Sequence, residues 1–120
     1  MSNKEKAIAF LKMAGSGEVQ AAYSKFVSFS FIHHNQYFKG DRNSLLQAME
    51  EAHVSSPNKF IEIKKVYADG DTVITHSLVV KKDMDIAVVH IFRFEGEKIV
   101  ELWDLGQILD KDSPNKNGAF

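Results

Sequence analysis

His90-Ile91-Phe92-Arg93-Phe94-Glu95-Gly96-Glu97-Lys98-Ile99-Val100-Glu101-Leu102-Trp103-Asp104-Leu105-Gly106-Gln107 reads as two strands folded about a turn. Gly96, with Glu95 before it and Glu97-Lys98 after, supplies the turn, and both flanks are apolar and β-branched enough to be strands. So short a link excludes a parallel crossover, which makes the two strands antiparallel. A turn centred near residues 96 and 97 sets His90 opposite Trp103 or Asp104, and parity allows His90 and Asp104 to share a face. Both are polar residues in apolar surroundings. His90 shares its face with Val88 and Phe92, and Asp104 with Val100, Leu102 and Gly106. Burying such groups is costly unless a partner or a role compensates. Desolvation strengthens a carboxylate's hold on a proton and a nearby imidazolium weakens it. A group tuned by both can exchange protons near neutral pH. Asp104 and His90 are therefore the candidate catalytic pair.

The chain before this hairpin continues the pattern. Thr72 to Val80 and Lys59 to Ala68 read as two further strands, separated by Asp69-Gly70-Asp71 and followed by the polar turn Lys81 to Asp85. In the earlier strand Ile61, Ile63 and Tyr67 fall on one side, and Glu62 and Lys64 on the other. Val73, Ile74, Leu78, Val79 and Val80 are apolar on both faces of their strand, as are Val88, Val89, Ile91 and Phe92. One face of the sheet is expected on the helices and the other on a second copy of the chain, giving a homodimer through the sheet face; the alternative is a sheet curved strongly enough to bury both faces within one subunit. His76 is a further polar residue among these strands, with Ile74 and Leu78 as face-mates.

Ahead of Pro57 the periodicity is helical. A helix is expected from Asn3 to Ala14, capped by Asn3 and ended by Gly15-Ser16-Gly17. A second starts near Glu18 and carries Val19, Ala22, Tyr23, Phe26 and Val27 on one face, fading into Ser28-Phe29-Ser30-Phe31-Ile32. A third follows Asp41, with Leu45, Leu46, Met49, Ala52 and His53 at helical spacing, and stops at Ser55-Ser56-Pro57. The division is thus a single α+β domain over 1–120: helices in 1–56, antiparallel sheet in 57–110 and a polar tail in 111–120. His33-His34-Asn35, between the second and third helices, suits a pocket rim, because an Asn amide can donate to a carbonyl oxygen. A simple turn is the stronger reading there, because Asn often ends a helical stretch.

Composition bounds the rest. With 120 residues, a second domain would leave each half too little core. A formal net charge of −1 gives no electrostatic reason to expect a nucleic acid or an anionic membrane as partner. The absence of cysteine excludes thiol catalysis, disulfides and thiolate zinc sites, and fits a reducing compartment. No signal-peptide pattern or membrane-length apolar run is present, so the expected location is the cytoplasm. A metal site on His34, His76, His90 and Asp104 has no supporting HxH or HExxH spacing, and none is assigned. His53 reads as a surface or boundary residue. No phosphate-binding glycine loop or nucleophile-elbow pattern occurs.

Phe31-Ile32-His33-His34-Asn35, His76-Ser77 and the hairpin from His90 to Gln107 together resemble SnoaL-like proteins, within the nuclear transport factor two-like or cystatin-like superfamily. The tail from Ser113 to Phe120 is similar to the end of a small bacterial branch. The resemblance implies a cone: a curved antiparallel sheet around a long helix, with an apolar pocket and a dimer through the sheet. Polyketide cyclases of that family close a ring by aldol condensation without metal or cofactor. Their Trp-Asp aspartate would fall on Asp104, the assisting histidine on His90 and the pocket asparagine on Asn35. His34, His76, Phe92 and Trp103 complete the expected substrate-contacting set. Two departures stand out: Leu102 occupies a position that is histidine in many relatives, and His90 one that is often aspartate. The expected ligand is a small apolar or carbonyl-containing molecule. The alternative is a non-catalytic ligand-binding or dimerisation module on the same cone.

Overall fold

The computed structural model describes residues 1–120. Helix α1 (Asn3–Gly15) opens on a capping box: the Ser2 hydroxyl accepts from the Glu5 N–H, and the Glu5 carboxylate accepts from the Ser2 N–H. The cap is Ser2, not Asn3. Helix α2 (Val19–Phe26) follows the turn at Gly17. Helix α3 (Arg42–Ser55) is capped by Asp41, whose carboxylate accepts from both the N–H and the hydroxyl of Ser44.

Five strands form one sheet in the order β1-β5-β4-β3-β2. β2 (Asn58–Asp69), β3 (Thr72–Lys81), β4 (Asp85–Glu95) and β5 (Lys98–Ile108) make the expected antiparallel meander. β1 (Val27–His33) lies in the segment read from sequence as the fading end of a helix, and it runs parallel to β5, with His33 beside Leu102. The sheet is therefore mixed, and the region 1–56 contributes one strand to it. Bulges in β2 and at Arg93/Phe94 of β4 bend the sheet around α1, which packs on β2 and β3. The β2 bulge between Ile63 and Lys65 also resets parity. Val66 then faces inward opposite Thr75. Tyr67, expected beside Ile61 and Ile63, turns outward and is 55% exposed.

The sheet's two faces now have distinct inventories. The inner face presents Val73, Thr75, Ser77 and Val79 from β3, and Val88, His90, Phe92 and Phe94 from β4, toward the helices. Phe92 is fully buried, edge-on to Phe10 of α1, which in turn packs against Tyr23 of α2. The outer face carries Ile74, His76, Leu78, Val89 and Ile91, crossed at one point by the tail, where Phe120 packs on His76. No helix is long and apolar enough to cross a membrane.

Candidate active site

The register of β4 on β5 pairs His90 directly with Asp104. Both side chains point inward. His90 Nε2 lies 3.6 Å from Asp104 Oδ1, and the two side chains are 12% and 21% exposed. The other carboxylate oxygen, Oδ2, accepts a 3.0 Å hydrogen bond from Asn35 Nδ2. Asn35 is itself fixed at the end of β1. Its Oδ1 accepts from the Tyr37 N–H, and its own N–H donates to Nδ1 of the buried His33. His33 Nε2 meets the Lys39 carbonyl at 2.6 Å, a geometry that suits the tautomer with its proton on Nε2. His33 is thus a structural residue that orients the asparagine.

Burial holds His90 below the ordinary histidine value of 6.5, and the charge on Asp104 opposes that shift only in part. At neutral pH its ring is accordingly uncharged. Its Nδ1 is buried and makes no hydrogen bond within the chain. The same is true of the hydroxyls of Thr75 and Ser77. Thr75 stands directly opposite His90 across β3 and β4, and Ser77 opposite the neighbouring Val88. Unsatisfied buried polar atoms are uncommon in folded proteins, and here three lie at neighbouring positions of one face. Sequence reasoning passed over Thr75 and Ser77. The available signal was two hydroxyls spaced i, i+2 in an apolar strand, on the face opposite His76.

A pocket of about 180 Å³ opens between α1, α3 and the inner face. Asp104 and His90 form one end. Phe10, Leu11, Met49, Ile61, Val79 and Val88 supply apolar walls, while His53, Asn58 and Lys81 lie toward the other end. The wall is close at Gly15: a Cβ there would fall 2.1 Å from Ile61 Cδ1, so the Ile61 side chain would have to turn aside. His53, expected at the boundary, is exposed on α3 but lines this pocket. A second, open groove of about 740 Å³ runs over the part of β5 beyond its pairing with β1. Its walls include His34, Asn35, His76 and Asp104.

The sequence-derived set therefore divides. Asp104, His90 and Asn35 converge. Phe92 stacks under the His90 ring at 5.9 Å and lines neither the pocket nor the groove; it is a core residue that supports the ring from behind. Trp103 and His34 lie on the outer face, stacked at 4.8 Å, because alternation along β5 turns residue 103 away from residue 104. His34 Nε2 contacts Glu101 Oε2 at 2.6 Å, and Arg93 holds the other Glu101 oxygen at 3.0 Å. His76 is also on the outer face, under Phe120. His34 and His76 reach Asp104 only through the shared groove. No three histidine and acidic side chains are grouped to hold a metal ion.

A curved five-stranded sheet wrapped on N-terminal helices, with its pocket between helix and inner face, is an architecture seen in solved structures. The chain has the nuclear transport factor two-like fold. An NTF-2 like protein of Burkholderia xenovorans LB400 superposes with a TM-score of 0.74 over 92% of this chain and 86% of its own, at 15% identity. IdmH of Streptomyces antibioticus, described as a candidate polyketide cyclase, gives 0.72 over 88% and 92%, at 14% identity. An LEH-like epoxide hydrolase of M. tuberculosis gives 0.67 over 87% and 81%, at 15% identity. No family model and no curated protein matches the sequence. Among these neighbours the fold carries more than one chemistry, so the activity must be argued from the site.

Proposed function

We propose that the chain is an enzyme of the SnoaL-like type that abstracts a proton next to the carbonyl of a small molecule, leading to an aldol-type ring closure or an isomerisation. The observation that carries this reading is the position of Asp104. It ends an apolar pocket with one oxygen tied to Asn35 and the other beside a neutral His90. Asp104 takes the α-proton, and the C–H electron pair moves into the carbonyl, leaving an enolate oxygen. The uncharged His90 stabilises that oxygen by hydrogen-bond donation. The enolate carbon then attacks a second carbonyl, whose oxygen takes the proton back from Asp104, or, for a β,γ-unsaturated carbonyl compound, Asp104 returns the proton to the γ-carbon of the dienolate. Both routes use only this chain's groups and need no cofactor.

Pocket size narrows the substrate. A cavity of about 150 Å³ holds a benzene ring, whereas drug-sized ligands occupy pockets of roughly 300–1,000 Å³. At about 180 Å³ the pocket suits one ring or a short chain rather than a fused polycycle. In this reading the protein acts as a cytoplasmic homodimer joined through its outer sheet face, where Ile74 and Leu105 are exposed. Sedimentation would show a monomer if that assembly is wrong. A module that binds the same ligand without turnover is the rival reading, favoured by the hydrogen bond that already restrains Asp104.

Hydrogen exchange separates the two. Cyclohexanone in deuterium oxide would lose its α-hydrogens faster with the protein than without it, as followed by proton NMR. Asp104→Asn should cut that rate by about 100-fold or more. Exchange at the uncatalysed rate with the wild-type protein, or undiminished exchange in the variant, would contradict the assignment.

A further inference from the structure

Lys81 ends β3 at the opposite end of the pocket from Asp104. Its ammonium donates to the Ser56 carbonyl and belongs to none of the chain's ion pairs. An ammonium has three donors, so two remain free. Burial holds Lys81 below the ordinary amine value of 10.5, with no compensating carboxylate. Asp104 is the one acidic side chain in the pocket wall, and it stands at the far end.

Lys81 lies six residues along the strand from Thr75, the cross-strand partner of His90. At about 3.4 Å per residue that is roughly 20 Å of backbone. The lysine side chain and the curvature of the sheet shorten the gap, but the two ends stay well apart. Between them lie Val79, Val88 and Ile61, all apolar.

We infer that the ligand is an elongated oxo acid whose carboxylate rests on Lys81 while its carbonyl reaches Asp104 and His90. This rests on the proton-abstraction pocket and adds the substrate's charge and orientation. The reverse orientation would set a carboxylate against Asp104, so the lysine also decides which end enters first. His53 lines the same pocket, and its ring lies over Gly17.

The test compares 7-oxooctanoate with its methyl ester by titration calorimetry, with His90 ring signals followed by NMR. The acid should bind the wild-type protein at least about tenfold more tightly than the ester. In Lys81→Met the acid should fall to the ester's affinity, and the ester should be unaffected. Equal affinity of acid and ester for the wild-type protein would overturn the inference and leave the carbonyl pocket standing. An acid that keeps its advantage in Lys81→Met would overturn it in the same way. Binding of neither compound, with His90 signals unmoved, would overturn the pocket itself as well.

Discussion

On β5, Glu101 and Trp103 point outward while Leu102 and Asp104 point inward, and the two rows meet opposite circumstances. Outside, Glu101 is satisfied on both oxygens by His34 and Arg93, and Trp103 is stacked on His34. Those partners hold the Glu101 carboxyl below its usual range, the His34 hydrogen bond being the largest cause. Inside, Asp104 faces a neutral imidazole across 3.6 Å, with unsatisfied Thr75, Ser77 and His90 atoms on the same face of the sheet. A polar network that is complete stabilises a fold. One left incomplete beside an apolar pocket is a place to bind and react. The same alternation that builds a strand thus sorts similar residues into structural and chemical roles.

That contrast can be broken by substitution. The largest effect on stability should come from Phe92→Ala, which empties the space between His90 and Phe10. Urea unfolding should show a loss of about 3–5 kcal/mol. Trp103→Ala should lose less, because its half-buried site is open to solvent and can relax. A loss as large as that of Phe92 would mean the outer face is a second core.

Gly17→Ala comes next. Gly17 has φ of 97°, and a Cβ there would fall 2.3 Å from His53 Nε2. Strain of this kind costs about 1–3 kcal/mol, and the displaced imidazole should alter ligand affinity as well. A variant with unchanged stability would show that the backbone and His53 move apart freely.

A smaller effect depends on pH. His90 is held below 6.5 when folded and returns toward that value when unfolded. Below pH 6.5 the unfolded chain takes up a proton that the folded chain refuses, so stability falls as pH drops through that window. The fall ends where folded His90 protonates too. His90→Gln should lose this component relative to the wild-type protein in parallel melts. Identical pH profiles would mean His90 is not held neutral. The smallest change is expected for Glu101→Gln, whose partners His34 and Arg93 reach solvent: about 1 kcal/mol or less.

Local rules made most of the fold legible. Gly70 and Gly96 marked their hairpins, and the turn at Gly96 placed His90 opposite Asp104 to within one residue. β1 was not legible, since its partner is β5, far along the chain, and no local turn announces a parallel pair. The Ile63/Lys65 bulge was equally invisible, and it sent Tyr67 to the other face. For the site, Asp104, His90 and Asn35 could be read from embedded polarity and from the resemblance to SnoaL-like proteins. The distribution of His34, His76 and Trp103 could not, because it depends on how the end of β1 docks against β5. Lys81 looked like an ordinary turn residue until the pocket showed what it borders.

The most direct measurement sets the two faces side by side. The α-hydrogen exchange of cyclohexanone would be followed in deuterium oxide for the wild-type protein, Asp104→Asn and Glu101→Gln, with folding checked by circular dichroism. Exchange should collapse in Asp104→Asn and persist in Glu101→Gln. Equal rates in all three folded proteins would contradict the claim that the inner carboxylate is the base.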